Sequence, residues 1–91
     1  MAGLFPLGRL VATPGAMDLL RGAGDGLLST LLERHRSGDW GEVPGADARE
    51  NELSVRHGLR IVSSYRVNGE RLWVITEADR GATTLLLPEE Y

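Results

Sequence analysis

The chain has 91 residues, a net charge of -3 and no cysteine. It is therefore one domain, and at this size roughly 60–65% of the surface of the unfolded chain is buried. The missing cysteines exclude a disulfide framework, a thiolate zinc site and a Cys nucleophile together, and they fit a reducing, cytoplasmic setting. The mild acidity counts against phosphate-backbone binding as the main task.

Met1 to Leu10 holds Gly3, Pro6, Gly8 and Arg9 without a basic start or a sustained apolar run, so no signal peptide is expected. No segment approaches the ~18 apolar residues of a membrane span, and no membrane partner is expected. Leu7 to Thr13 reads as a short strand. Thr13 and Pro14 then form a helix start, Thr as an acceptor for unpaired N–H groups and Pro in the first turn. Ala16, Met17, Leu19 and Leu20 give this first helix an apolar side, and Gly22 and Gly24 end it.

Asp25 is placed to cap a second helix. Leu27, Leu28, Leu31, Leu32 and His35 fall on one face of it, and Gly38 sits where a left-handed C-terminal cap belongs. A loop carrying Trp40 follows. Asp47 and Glu50 form a variant capping box, which predicts a third helix over 47–57. Its apolar groups are few (Ala48, Leu53, Val55), so it is expected to be partly exposed, ending at Gly58.

The final third is read from turn chemistry. Arg60 to Val67 and Glu70 to Glu77 flank Asn68-Gly69, the strongest short hairpin signal. A two-residue turn there pairs Val67 with Glu70, Tyr65 with Leu72, Ser63 with Val74 and Ile61 with Thr76. On the other face it pairs Ser64 with Trp73, Val62 with Ile75 and Arg60 with Glu77. Arg66 opposite Arg71 is a like-charge cost. Ala78 to Gly81 makes a second turn, Ala82 to Leu87 the last strand, and Pro88 stops it. The expected fold is α+β: a short N-terminal strand, three helices, then a three-stranded antiparallel meander covered on one face by helices. The first strand is free to join the sheet at an edge.

Four stretches, Leu4–Ala16 (LFPLGRLVATPGA), Leu31–Gly41 (LLERHRSGDWG), Gly58–Tyr65 (GLRIVSSY) and Leu72–Tyr91 (LWVITEADRGATTLLLPEEY), resemble a small bacterial family of uncharacterised "plasmid-related" proteins. The resemblance spans nearly the whole chain. It implies an association with mobile elements but no activity. The hairpin here closes in a compact VNGE where the family carries a longer insertion.

Two clusters are candidates for chemistry. His35 and Asp39, one turn apart across the helix end, could hydrogen-bond and fix a tautomer for general-base work. In the structural alternative His35 completes the core face, Asp39 caps a turn and Trp40 plugs the end of the sheet. Glu77 and Asp79 fall on one side of an extended chain and could hold a hard divalent cation, with Arg80 neutralising a phosphate. The alternative is a charged turn, with Asp79 accepting backbone N–H groups and Arg80 pairing with Glu77.

Arg34-His35-Arg36 and Arg56-His57 with Arg60 are the basic clusters, also readable as solvated helix ends. The three consecutive leucines 85–87 cannot share one sheet face. A homodimer, a bound partner or burial under the second helix would each cover the odd one. No cofactor motif is present.

The leading expectation is a non-enzymatic protein-binding, accessory or inhibitory protein of bacterial mobile elements, an anti-defence role among them. Trp40, Trp73, Arg80 and Tyr91 are its partner-binding candidates. The first alternative is a small nuclease- or hydrolase-like toxin using His35, Asp39, Glu77, Asp79 and Arg80. The second is an antitoxin-like or transcriptional module that binds nucleic acid.

Overall fold

The computed structural model describes residues 3–91, so Met1 and Ala2, where the N-terminal reading begins, lie outside the described residues. Strand β1 (Arg9–Ala12) leads into helices α1 (Pro14–Gly22), α2 (Leu27–Arg36) and α3 (Gly45–His57). Strands β2 (Ile61–Val67), β3 (Glu70–Thr76) and β4 (Ala82–Leu86) follow, and a 3-10 turn at Pro88–Glu90 ends the chain. The fold is α+β, but the sheet is four-stranded and mixed, in the order β1-β4-β3-β2. The β1 strand does join at the edge, parallel to β4, with Leu10 beside Thr83 and Val11 beside Thr84.

The hairpin register matches the pairing expected from Asn68-Gly69 at every position from Ile61–Thr76 to Val67–Glu70. Both turn residues have positive φ, 49° at Asn68 and 82° at Gly69, the backbone a type I′ turn demands and these two residues tolerate. The Arg66–Arg71 conflict is relieved by Glu42, whose Oε1 lies 3.2 Å from one guanidinium and 3.7 Å from the other. Arg60 and Glu77, just beyond the paired strands, form the expected ion pair at 3.2 Å.

Helix ends follow the sequence unevenly. Thr13 caps α1 by accepting from the Ala16 N–H. Gly38, at φ 91°, closes α2 in a Schellman motif: the Gly38 N–H reaches the His35 carbonyl and the Asp39 N–H the Arg34 carbonyl. Asp25 does not cap α2, because left-handed Gly26 takes the cap position and offers no side chain. Asp47 does not start α3 either. The helix opens two residues earlier, behind Pro44, which leaves Asp47 in the first turn, where a carboxylate favours the helix dipole.

The inner sheet face is covered by α1 and α2. Tyr65, Leu72, Val74 and Leu85 pack there with Ala16, Leu31 and Leu32, and a second cluster joins Phe5, Trp40 and Ile61. On α2, Leu31, Leu32 and His35 are buried while Leu28 stays exposed. Helix α3 departs from the expected one-face cover and lies chiefly along β2. It buries Asn51 and Ser54, while Leu53 points to solvent. The three leucines are all covered within the chain. Leu85 enters the inner core, Leu87 packs at its margin, and Leu86 is buried on the outer face beside Trp73.

From Val62 to Ser64 the β2 edge is sealed by the chain itself. Asn51 accepts from the Val62 N–H at 3.1 Å and donates to the Val62 carbonyl at 2.8 Å. Beside it, the Ser64 N–H reaches the Trp40 carbonyl and the Glu42 N–H the Ser64 carbonyl. This bridge runs through Gly41, at φ 73°, where an added Cβ would sit 2.1 Å from the Ser64 carbonyl oxygen. Gly41→Ala is therefore expected to lower stability by about 2–4 kcal/mol, combining a positive φ with a backbone clash. Urea unfolding checks this, and a loss under about 1 kcal/mol would mean the bridge contributes little.

Candidate functional site

His35 projects from α2 into the sheet and is fully buried. Its Nδ1 lies 2.6 Å from Ser63 Oγ and its Nε2 2.9 Å from Thr76 Oγ1. Thr76 continues to Thr83 at 2.7 Å, and Thr83 donates to the Leu7 carbonyl at 2.7 Å. That carbonyl can only accept, and it fixes the direction of the whole row. Thr83 gives its proton to Leu7, Thr76 gives to Thr83, and Nε2–H of His35 gives to Thr76. Nδ1 is then left to accept from Ser63. Phe5 and Trp40 close the ring edgewise, with centroids 5.3 and 6.0 Å away. Burial pushes the imidazole pKa down to about 4, so His35 is neutral at physiological pH.

The expected His35–Asp39 pair does not form. Asp39 turns outward to Arg34, with Oδ2 at 2.7 Å from Nε and Oδ1 at 3.2 Å from Nη2. This bidentate pair holds the Asp39 carboxyl below its usual range, helped by the Gly41 N–H. The same guanidinium lies over the Tyr65 ring, whose hydroxyl donates to the Asp39 carbonyl at 2.6 Å. His35 thus completes the core, and Asp39 orders the loop that carries Trp40. Trp40, at 5% exposure, is a core side chain bonded to Glu52 through its indole N–H and presents no surface to a partner.

Glu77, Asp79 and Arg80 also go to separate tasks. Glu77 pairs with Arg60 rather than Arg80. Asp79 accepts from the Gly81 N–H at 2.8 Å, the turn role its position suggested. Arg80 gathers four carbonyls, those of Ser54, Leu59, Glu77 and Ala78, at 2.7 to 3.3 Å. Five donors in a rigid fork suit that task, and the guanidinium ties the end of α3 to the β3–β4 turn. It also lies over the Phe5 ring, directed into the fold rather than toward a partner. Among the described residues no group of three or more His, Asp or Glu side chains is placed to hold a metal. The N-terminal basic cluster is paired as well, Arg34 with Asp39 and Arg36 with Glu33.

Two of the predicted partner residues do converge. Trp73, half-buried on the outer face of the sheet, meets Tyr91 edgewise at 5.7 Å. The Tyr91 hydroxyl accepts from Arg60 Nη1 at 2.8 Å. These three residues border a groove of about 430 Å³ floored by Val62 and Ile75 and walled by Val43, Asp47, Glu50 and Asn51. A second depression, lined by Glu42, Pro44, Ser64 and Arg71, shares Val43, Asp47, Val62 and Trp73 with it, so the trough runs on across the sheet. Arg60, Arg66 and Arg71 around it all have carboxylate partners. Asp47 and Glu50 have no hydrogen bond or ion pair among the described residues.

Compared with protein-family models, with curated proteins and with solved structures, the chain matches none. No helix among the described residues is long and apolar enough to cross a membrane.

The buried imidazole gives the fold a definite acid response. Its folded-state pKa of about 4 lies below the ordinary histidine value, so the unfolded chain binds the extra proton first. The stabilisation is complete above about pH 6.5 and is lost as pH falls toward 4, by about 3 kcal/mol if the whole shift counts. His35→Gln, which keeps donor and acceptor atoms without titrating, is expected to be less stable at pH 7 and to flatten that slope. Urea midpoints from pH 7 to 4.5 measure both. An unchanged slope in the variant would show that other groups carry the acid sensitivity.

Proposed function

We propose that this protein is a non-enzymatic binding domain that seats a segment of a partner protein in the outer-face groove beside Trp73. One observation carries this reading: an apolar floor and a half-buried tryptophan lie next to two exposed carboxylates, Asp47 and Glu50, that no side-chain donor or cation among the described residues engages. Apolar surface with one aromatic anchor supplies affinity, and the unpaired charges select the ligand. The matching segment carries a Lys or Arg flanked by an apolar side chain. Its cation can approach Asp47 and Glu50 or the Trp73 ring, and its apolar neighbour the Val62–Ile75 floor.

The five residues on which a nuclease- or hydrolase-like toxin would depend support the binding reading by their engagement elsewhere. His35 is sealed in the core, Asp39 and Glu77 are held by arginines, Asp79 serves its turn, and Arg80 is occupied by backbone carbonyls. Acidic overall charge and paired arginines likewise disfavour a nucleic-acid-binding antitoxin or transcriptional module. The resemblance to the plasmid-related family makes a bacterial host or element-encoded protein the natural partner, and inhibition of a defence protein one such role.

A random peptide display library panned against the protein tests this. Enriched peptides should share a basic residue beside an apolar one. They should lose affinity about tenfold or more on Trp73→Ala, and several-fold on Asp47→Asn with Glu50→Gln, as expected for an anchor and for rim charges. Peptides indifferent to Trp73, with the variant still folded by circular dichroism, would remove the groove as the binding site.

A further inference from the structure

The two edges of the sheet are treated differently. At β2 the outward backbone groups of Val62 and Ser64 are taken up by Asn51, Trp40 and Glu42. At β1 nothing comparable is present among the described residues. The Arg9 N–H reaches the Gly81 carbonyl and the Thr13 N–H the Leu85 carbonyl, so the odd-numbered residues face β4. By the alternation of a strand, the N–H and C=O groups of Leu10 and Ala12 face outward. The strand opens on the exposed Arg9 and Pro14 follows its end, but the Leu10-Val11-Ala12 stretch between them carries none of the charges or prolines that usually blunt an edge. Leu10, Val11, Met17 and Leu28 around it are 48%, 41%, 50% and 40% exposed. Leu10, Val11, Met17 and Leu28 line an open groove of about 560 Å³ between the strand and the helices.

We propose that this edge is the self-association surface of the protein, and that a second copy adds its own β1 antiparallel across a two-fold axis at Val11. The backbone selects the register. Antiparallel pairing of outward residues allows Leu10 opposite the second copy's Ala12, and the reverse, with Val11 opposite Val11. All four outward groups of each copy are then bonded. A slip one way brings in Gly8, whose φ of 68° is not extended. A slip the other way brings in Pro14, which has no N–H to give. The two-fold register therefore uses the whole available edge, the self-complementarity an isologous interface requires.

Charge agrees with it. The groove rim carries Arg21, held by Asp18 at 2.9 Å, and Asp25, so two copies meet without a like-charge excess. The outer groove, with free Asp47 and Glu50, is ill suited to meet a copy of itself. The dimer joins two four-stranded sheets into one of eight and sets Leu10 beside Ala12, and Val11 beside Val11, of the other copy. A strand this short places it at the weak, concentration-dependent end of the interface range.

Analytical ultracentrifugation from about 1 to 500 µM should show the mass rising toward two copies. Leu10→Pro removes an outward N–H but no bond to β4, and should keep the protein monomeric across the range. The cysteine-free background supplies a second test. A central non-hydrogen-bonded pair places Cα atoms about 4.5 Å apart, within disulfide span. Oxidised Val11→Cys should therefore give covalent dimer at least tenfold faster than the exposed control Leu59→Cys. A monomer at the highest concentration, a dimer unaffected by Leu10→Pro, or equal rates for the two cysteines would each overturn the proposal. None of these readouts involves the outer groove, so the two proposals fail independently.

Discussion

The row of hydrogen bonds from Ser63 through His35, Thr76 and Thr83 to the Leu7 carbonyl is the constraint from which the rest of the fold hangs. It crosses α2, all three strands of the meander and the segment that enters β1. Every member is buried except the terminal carbonyl's own residue, which is half-buried. A polar core of this kind is a specifying device, because any shift of strand register or helix rotation leaves a buried donor or acceptor unpaired. Hydrophobic contacts already resist a one-residue slip, which would turn the apolar set to the other face, but they discriminate less sharply against slips of two. The neutral imidazole is essential to it: one nitrogen must accept and the other donate, which only the uncharged ring does.

A similar economy governs several of the charged side chains. Glu42 sits between Arg66 and Arg71 and converts a like-charge pair at the hairpin into a three-membered cluster. Glu90 accepts from the Thr13 hydroxyl and from the Gly15 and Leu87 N–H groups, tying the C-terminal turn to the start of α1. These bonds hold its carboxyl below the usual glutamate range. Arg80 does for the end of α3 what a longer loop would otherwise have to do. In a chain of this size, where the core is small, such side-chain-to-backbone ties replace apolar area that is not there.

What was legible in the sequence was what local chemistry decides. Asn68-Gly69 admits one turn, and that turn set the register of fourteen residues. Gly38 and Gly58 ended helices because left-handed backbone is where glycine goes. Asp25 and Asp47 misled because capping is a competition: Gly26 and Pro44 already held the cap positions. The candidate site failed for a different reason. His35 and Asp39 are close in sequence, yet neither bonds the other: His35 takes Ser63 and Thr76 from distant strands, and Asp39 takes the nearby Arg34. Period-2 alternation could have shown Ser63, Thr76 and Thr83 as polar residues on the core face, and polar groups there need a partner such as His35. Nothing local foretold that Trp73 and Tyr91 would meet across eighteen residues.

With many charged side chains committed to holding the fold, the outer groove and the β1 edge stand out among the described residues, and they lie apart. The outer groove sits over β2 and β3 beside α3, and the bare edge belongs to β1 at the opposite side of the sheet. Pairing at β1 would leave both grooves open and fix them to one continuous sheet, with the dimer axis between them. Two sites on one rigid body favour a partner that is itself repeated or symmetric, since the second contact is then made at high effective concentration. A modest groove, with one tryptophan and two carboxylates, would gain through such duplication an affinity that its own area does not provide.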